Sequence, residues 1–193
     1  MKTTKQIFVV FILVLIISHV QAQHTGLNVG DKVDNFEAKA ENGKIWKSKK
    51  VIGKKNLVVY FYPAAMTGGC TKQACAYRDA MDDLSSVDAE VVGISGDEVK
   101  NLKLFKQAHN LNFTLLSDPD GGIARMFGVP VTEGNKSIER EVEGTIHTLT
   151  RGLTTSRWTF IIGKQGKVIY KSTDVNAAED SKAVLGVLKN QLH

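Results

Sequence analysis

Pro63, Thr67, Cys70 and Cys75 fall within one short stretch, LVVYFYPAAMTGGCTKQACAYRD over residues 57–79, and the chain has no other cysteine. A thiol attacks through its thiolate, and two thiols can pass on two electrons by closing a disulfide. Which of these chemistries applies depends on what holds the sulfurs. Residues 57–62 are apolar, β-branched and aromatic, the pattern of a buried strand. Pro63 has no N–H to give to a ladder and ends it. After Gly68 and Gly69 the pattern turns helical, with Ala74, Tyr77, Met81 and Leu84 at three- and four-residue spacing, which predicts a helix over 70–84. Cys70 then stands at the helix start, where unpaired N–H groups and partial positive charge favour a thiolate. Thr67 is a candidate cap for that helix, or a hydroxyl offered to whatever the sulfur attacks.

The cysteine spacing constrains the pair. Five residues of helix separate two Cα atoms by about 7.5 Å along the axis and about 140° around it. The resulting separation of about 8.6 Å exceeds the disulfide limit of about 7 Å. A Cys70–Cys75 bond therefore requires the first turns of the helix to unwind, which makes the pair a redox switch. The competing reading is a permanent structural disulfide, the usual state of two cysteines in an exported chain. Such a bond would close a very small loop, gain little chain entropy and break a helix.

Export is itself an expectation from the first residues. Lys2 and Lys5 precede an unbroken apolar run over residues 7–17, and Val20-Gln21-Ala22 offers a cleavage site. The run is shorter than the roughly 20 residues needed to span a bilayer, so residues 1–22 read as a cleaved signal peptide. The mature chain, 23–193, is then periplasmic or secreted, with no stable membrane association. The net charge of +5 includes both leader lysines. The remaining charge is spread out, with no nucleic-acid footprint.

At 193 residues the chain suits one domain with a sizeable core. Residues 36–40 and 45–48 flank Asn42-Gly43 as a hairpin. Residues 89–94 and 113–116 read as strands, and Asp97 as the cap of a helix over 98–109. A short helix follows around Ile123, Met126 and Phe127. Residues 129–155 are charged and Gly/Thr-rich, and read as a loop with a hairpin arm. Residues 158–162 and 167–171 form a hairpin, and 177–192 an amphipathic helix. Strands alternating with helices indicate an α/β domain of three layers.

The motif Pro63-x-x-x-Thr67-x-x-Cys70 resembles the peroxiredoxin active-site signature. The wider YFYP…TGGCT…C…RD is similar to the bacterioferritin comigratory protein (PrxQ) branch. Leu27-x-Val29-Gly30-Asp31, residues 115–128 and Arg157-x-Thr159-Phe160 extend the likeness over roughly residues 27–190. The resemblance implies a thioredoxin-like fold, α/β/α with a central mixed sheet, and a monomer or weak dimer. It implies reduction of hydrogen peroxide and organic hydroperoxides, with Cys70 as the peroxidatic and Cys75 as the resolving cysteine. A thioredoxin-like donor would restore both thiols. Arg157 would stabilise the thiolate and the departing oxygen, Thr67 would bind the peroxide, and Pro63 would shield the sulfur. Arg151 competes with Arg157 for that role, and Arg78 is a candidate for a supporting polar network. Gln73 stands where the family commonly has Glu, which removes a carboxylate from that network. No metal or organic cofactor is implied. The alternatives are a dithiol–disulfide oxidoreductase on the same fold, although Cys-x-x-Cys is missing, and an exported binding module with a structural disulfide.

Overall fold

The computed structural model describes residues 26–191, and the expected leader with its cleavage point lies outside them. The apolar run becomes strand β3 (Asn56–Phe61), which sits mid-sheet with no exposed face. Its side chains alternate between two cores. Val58 and Tyr60 enter one, with Tyr62 just beyond the strand, and Leu57, Val59 and Phe61 the other. A strand covered on both sides has no reason to alternate polar with apolar residues, hence the continuous run.

The main sheet also contains β1 (Glu37–Ala40), β2 (Ile45–Lys47), β4 (Ala89–Ser95), β5 (Thr114–Ser117), β8 (Trp158–Ile162) and β9 (Val168–Ser172), in the order β2-β1-β5-β4-β3-β8-β9. Strands β3, β4 and β5 run parallel. Strand β8 lies antiparallel to β3, and the outer strands are antiparallel too. The expected mixed sheet of a thioredoxin-like fold is present. Its layers are uneven. Residues of α1 (Gly68–Asp79), α2 (Met81–Ser86), α3 (Val99–Ala108) and α5 (Asp180–Asn190) share the core of one face. The other face is covered by α4 (Gly122–Phe127), by Leu27, Val33 and Phe36, and by the turn around Val51.

Three expectations need correction. The helix expected over 70–84 is two helices, broken at Ala80 (φ −94°, ψ 3°). The break carries Leu84 into the core and puts Asp82 and Asp83 in the first turn of α2, where negative charge suits the dipole. Asp97 does not cap α3. The cap position is Glu98, without a side-chain bond, and Asp97 is fully buried. Residues 129–155 hold the expected hairpin arm but not the expected loop: almost the whole segment is one long ribbon, β6 (Val131–Val142) paired with β7 (Thr145–Thr155) and closed by Glu143-Gly144 with both φ positive. Leu149 and Leu153 dock the ribbon on the body. A Cβ at Gly96 would lie 2.4 Å from the Leu153 carbonyl oxygen, so this close approach of two backbones requires glycine there.

Candidate functional site

The site lies beyond the C-terminal ends of β3 and β4. Antiparallel pairing sets Phe61, the last residue of β3, opposite Trp158, the first of β8. Residues remote in sequence therefore meet at one edge: the loop 62–67 leaving β3, Asp97 beyond β4, and Arg157 just ahead of β8. The open side of an α/β sheet at its carboxyl end is a common place for chemistry.

Cys70 is the third residue of α1, 2% exposed, while Cys75 is half-buried on the same helix. Both thiols are free and the helix between them is unbroken, the geometry expected of the reduced state. The first intrahelical bond is donated by the Thr71 N–H to the Thr67 carbonyl at 2.8 Å. The N–H groups of Gly68, Gly69 and Cys70 precede it and have no acceptor within the helix. Thr67 occupies the cap position without capping, which corrects that part of the sequence reading. Its hydroxyl donates to the Ala64 carbonyl at 2.8 Å. Pro63 is half-buried where the chain leaves β3. Met66, just before Thr67, has φ 62°. Its carbonyl accepts from Arg140 Nε of the ribbon at 2.8 Å.

Arg157 reaches the sulfur. Its Nη2 lies 3.4 Å from Cys70 Sγ, while Nη1 donates to Gln73 Oε1. A Cβ on Gly69 would come within 3.3 Å of that Nη2, so the glycine leaves room for the guanidinium. Arg151 does not compete. It is buried in an ion pair, Nε to Asp97 Oδ1 at 2.8 Å, with side-chain exposures of 2% and 0%. Arg78 does not join the network either. It pairs with the exposed Asp79 and donates to the His109 carbonyl.

The Arg151–Asp97 pair supports the site from beneath. Asp97 Oδ2 accepts from the Ala65 N–H at 2.7 Å, and Arg151 Nη2 donates to the Ala65 carbonyl at 3.3 Å. Both polar groups of one loop residue are thereby fixed. Behind Arg157, Gln73 is fully buried and its Nε2 donates to Asp180 Oδ2 at 2.7 Å. Asp180 also accepts from the hydroxyls of Tyr77 and Thr159, each at 2.8 Å. Burial, reinforced by the Asp180 charge, holds the Tyr77 phenol well above its ordinary value, so it is a neutral donor. The departure from Glu at position 73 therefore does not empty the network of carboxylate; Asp180 supplies one from α5.

Sequence reasoning missed Asp97 and Asp180 in these roles, and it placed position 73 in the network only as a lost carboxylate, not as the link between Arg157 and Asp180. A signal existed for two of the three. Asp97 lies two residues beyond a buried strand of the parallel set, and Gln73 shares the Cys70, Ala74 and Tyr77 face of α1, where a polar side chain needs a partner.

Comparison with known proteins adds the following. Residues 29–171 match the model of the AhpC/TSA family. Peroxiredoxin Bcp of Escherichia coli (strain K12) is 36% identical over 163 residues, covering 84% of this chain and 96% of that protein. The chloroplastic peroxiredoxin Q of Populus jackii is 47% identical over 104 residues, covering 54% of this chain and 48% of the relative, so the match spans about half of that plant protein. The crystal structure of peroxidoxin BcpB from Mycobacterium tuberculosis superposes with a TM-score of 0.71 at 31% identity, covering 85% of this chain and 97% of that one.

Proposed function

This chain belongs to the AhpC/TSA family, and from that premise we propose that it is a thiol-dependent peroxidase of the peroxiredoxin Q type. The Cys70 thiolate attacks the terminal oxygen of a hydroperoxide. The O–O bond breaks, the sulfur is oxidised to sulfenic acid, and the other oxygen leaves as water or alcohol after taking a proton. The Cys75 thiol then attacks the Cys70 sulfur, water leaves and the disulfide closes. A thioredoxin-like dithiol returns the two electrons by exchange.

One observation carries this reading: a guanidinium 3.4 Å from Cys70 Sγ at the open N-terminus of α1. Negative charge moves from sulfur to the departing oxygen during attack, and a fixed cation beside free N–H groups lowers the energy of that charge at both ends of its path. The Thr67 hydroxyl, held 2.8 Å from the Ala64 carbonyl, has lone pairs left to accept from the peroxide. Pro63 gives the pocket its shape. The protein acts as a monomer or weak dimer, and with residues 1–22 as an export signal its electron donor is an exported thioredoxin-like protein.

The test is peroxide consumption with thiol titration on the mature chain. One equivalent of hydrogen peroxide should disappear per subunit as both thiols are lost, and a thioredoxin system should make the loss catalytic. Cys70→Ser should consume none. Cys75→Ser should consume one equivalent without thioredoxin-coupled turnover. Turnover by Cys70→Ser, or disulfide exchange without peroxide loss in the native chain, would overturn the assignment.

A further inference from the structure

We propose that Asp180 is a positioning residue for Arg157, acting through the amide of Gln73. The proposal rests on the reading of Cys70 as the reactive sulfur. Asp180 opens α5 and is 4% exposed. One of its oxygens accepts from three side chains on two other elements: Gln73 Nε2 and Tyr77 OH, one turn apart on α1, and Thr159 Oγ1 on β8. A carboxylate at the first position of a helix is also favoured by the dipole of that helix.

The amide between Asp180 and Arg157 can stand in only one orientation. A guanidinium has donors and no acceptor, so the amide oxygen must face it. A carboxylate has acceptors and no donor, so the amide nitrogen must face Asp180. The observed bonds satisfy both demands, with Arg157 Nη1 on Oε1 and Nε2 on Asp180. Negative carboxylate, aligned amide and guanidinium then form a chain in which each bond polarises the next. Its far end is the Nη2 that lies against Cys70 Sγ. Without an acceptor at position 180 the amide nitrogen has no tether. The oxygen that seats Arg157 then loses its fixed place, and the guanidinium is no longer held against the sulfur.

A merely structural role, in which Asp180 pins α5 to α1, uses the same bonds, so the test must separate the two. The experiment measures single-turnover oxidation of Cys70 by hydrogen peroxide in the full mature chain carrying Cys75→Ser, which removes the resolving step. Gln73→Glu sets a carboxylate against Asp180 across a 2.7 Å contact, and the rate should fall about tenfold or more, as expected when charge stabilisation at a reacting group is disturbed. Gln73→Glu combined with Asp180→Asn exchanges the charge between the two positions. The carboxylate introduced at position 73 then accepts from Arg157 and from the new amide, so the rate should return to within about threefold of the parent. Asp180→Ala, which leaves Gln73 without its acceptor, should also slow oxidation by about tenfold.

If Asp180 is only a pin, the two defects add and the double variant is slower than Gln73→Glu alone, which overturns the proposal. Parent-like rates in Asp180→Ala overturn it as well. Should Asp180→Ala not fold, the charge-exchange pair decides alone, because both substitutions keep side-chain size. A double variant that does not fold counts against the proposal: the line of bonds from position 180 to Arg157 is kept in it, and the Tyr77 and Thr159 hydroxyls, which donate to the same Asp180 oxygen as Gln73, can each turn to accept instead. A parent chain that ignores peroxide defeats the assignment of Cys70 and takes this inference with it. Reaction in the parent with no effect at position 180 defeats this inference only.

Discussion

Replacing Arg151 by methionine should unfold this protein far more readily while leaving the guanidinium at Cys70 in its seat. Arg151 and Asp97 have side-chain exposures of 2% and 0%, with Nε and Oδ1 2.8 Å apart. Methionine fills most of the arginine stem but leaves the carboxylate without its counter-charge. Removing one member of a buried pair costs about 3–5 kcal/mol. Asp97 would keep bonds from the Ala65 N–H, the Ser95 hydroxyl and Asn101 Nδ2, which puts the loss near the lower figure, about 3 kcal/mol. For a chain of this size that is a fall in Tm of about 6–12 °C. Urea unfolding should show it as a lower midpoint with an unchanged slope. Adding Asp97→Asn removes the stranded charge and should return at least about 1 kcal/mol. A loss under about 1 kcal/mol for the single variant, or a further loss for the double, would refute the assignment of this pair as the support of the active-site loop.

Two other outcomes follow from the same geometry. Arg157→Lys keeps the charge but loses the fork that reaches Cys70 Sγ and Gln73 Oε1 together. Oxidation of Cys70 should slow by about 10² with little change in stability, and a stopped-flow rate within about twofold of the parent would point to another group. His109, stacked edge-on against Phe105 at 5.4 Å, has its imidazole held below the ordinary value by burial and then by Arg78. On acidification the unfolded chain takes that proton first. Its contribution to stability is therefore complete above about pH 6.5 and declines below it, until the folded imidazole also titrates. His109→Gln should lose less stability than the parent between about pH 7.5 and 5.5 in urea unfolding, and equal losses would refute the assignment. The comparison cancels Asp118, whose carboxyl burial pushes upward and which works in the opposite sense.

The parts of the site that were legible in the sequence are those set by local pattern. Strand β3, the proline break and the helix bearing Cys70 follow from periodicity and from the backbone limits of Pro63, all within a few residues of one another. Arg157 is different. Nothing beside it in sequence marks it as a partner of Cys70, and only the β3–β8 register brings it there; a family resemblance carried that reading. Asp97 follows Ser95-Gly96 in the manner of a helix cap, and a cap is what local sequence suggests. The long-range pair with Arg151 buries it instead. Asp180 sits in a polar helix start whose neighbours look solvent-facing, while its partners lie at 73, 77 and 159. The ribbon was legible as a hairpin arm, but its extent was not, for another reason. Most of β6 has neither face against a core, so no alternation of apolar and polar residues is required of it.

The proposed chemistry sets opposite demands on α1, which must be intact to hold Cys70 against Arg157 and unwound to bring Cys75 to the oxidised sulfur. The composition of the first turn favours unwinding. Gly68 and Gly69 each cost about 1 kcal/mol relative to alanine in a helix, and the missing Thr67 cap forgoes about another 1 kcal/mol. That turn is therefore held less by its own propensity than by tertiary bonds, and those nearest the sulfur converge on Gln73, which lies between the two cysteines. One turn further on, Tyr77 is stacked on Tyr60 with ring centroids 4.8 Å apart and is fully buried. It is placed to anchor the rest of α1 were the segment ahead of it to open. Under the proposed chemistry, closing the disulfide would require Gln73 to release Arg157 and Asp180, so the two bonds that seat the guanidinium against Cys70 would also oppose the approach of Cys75.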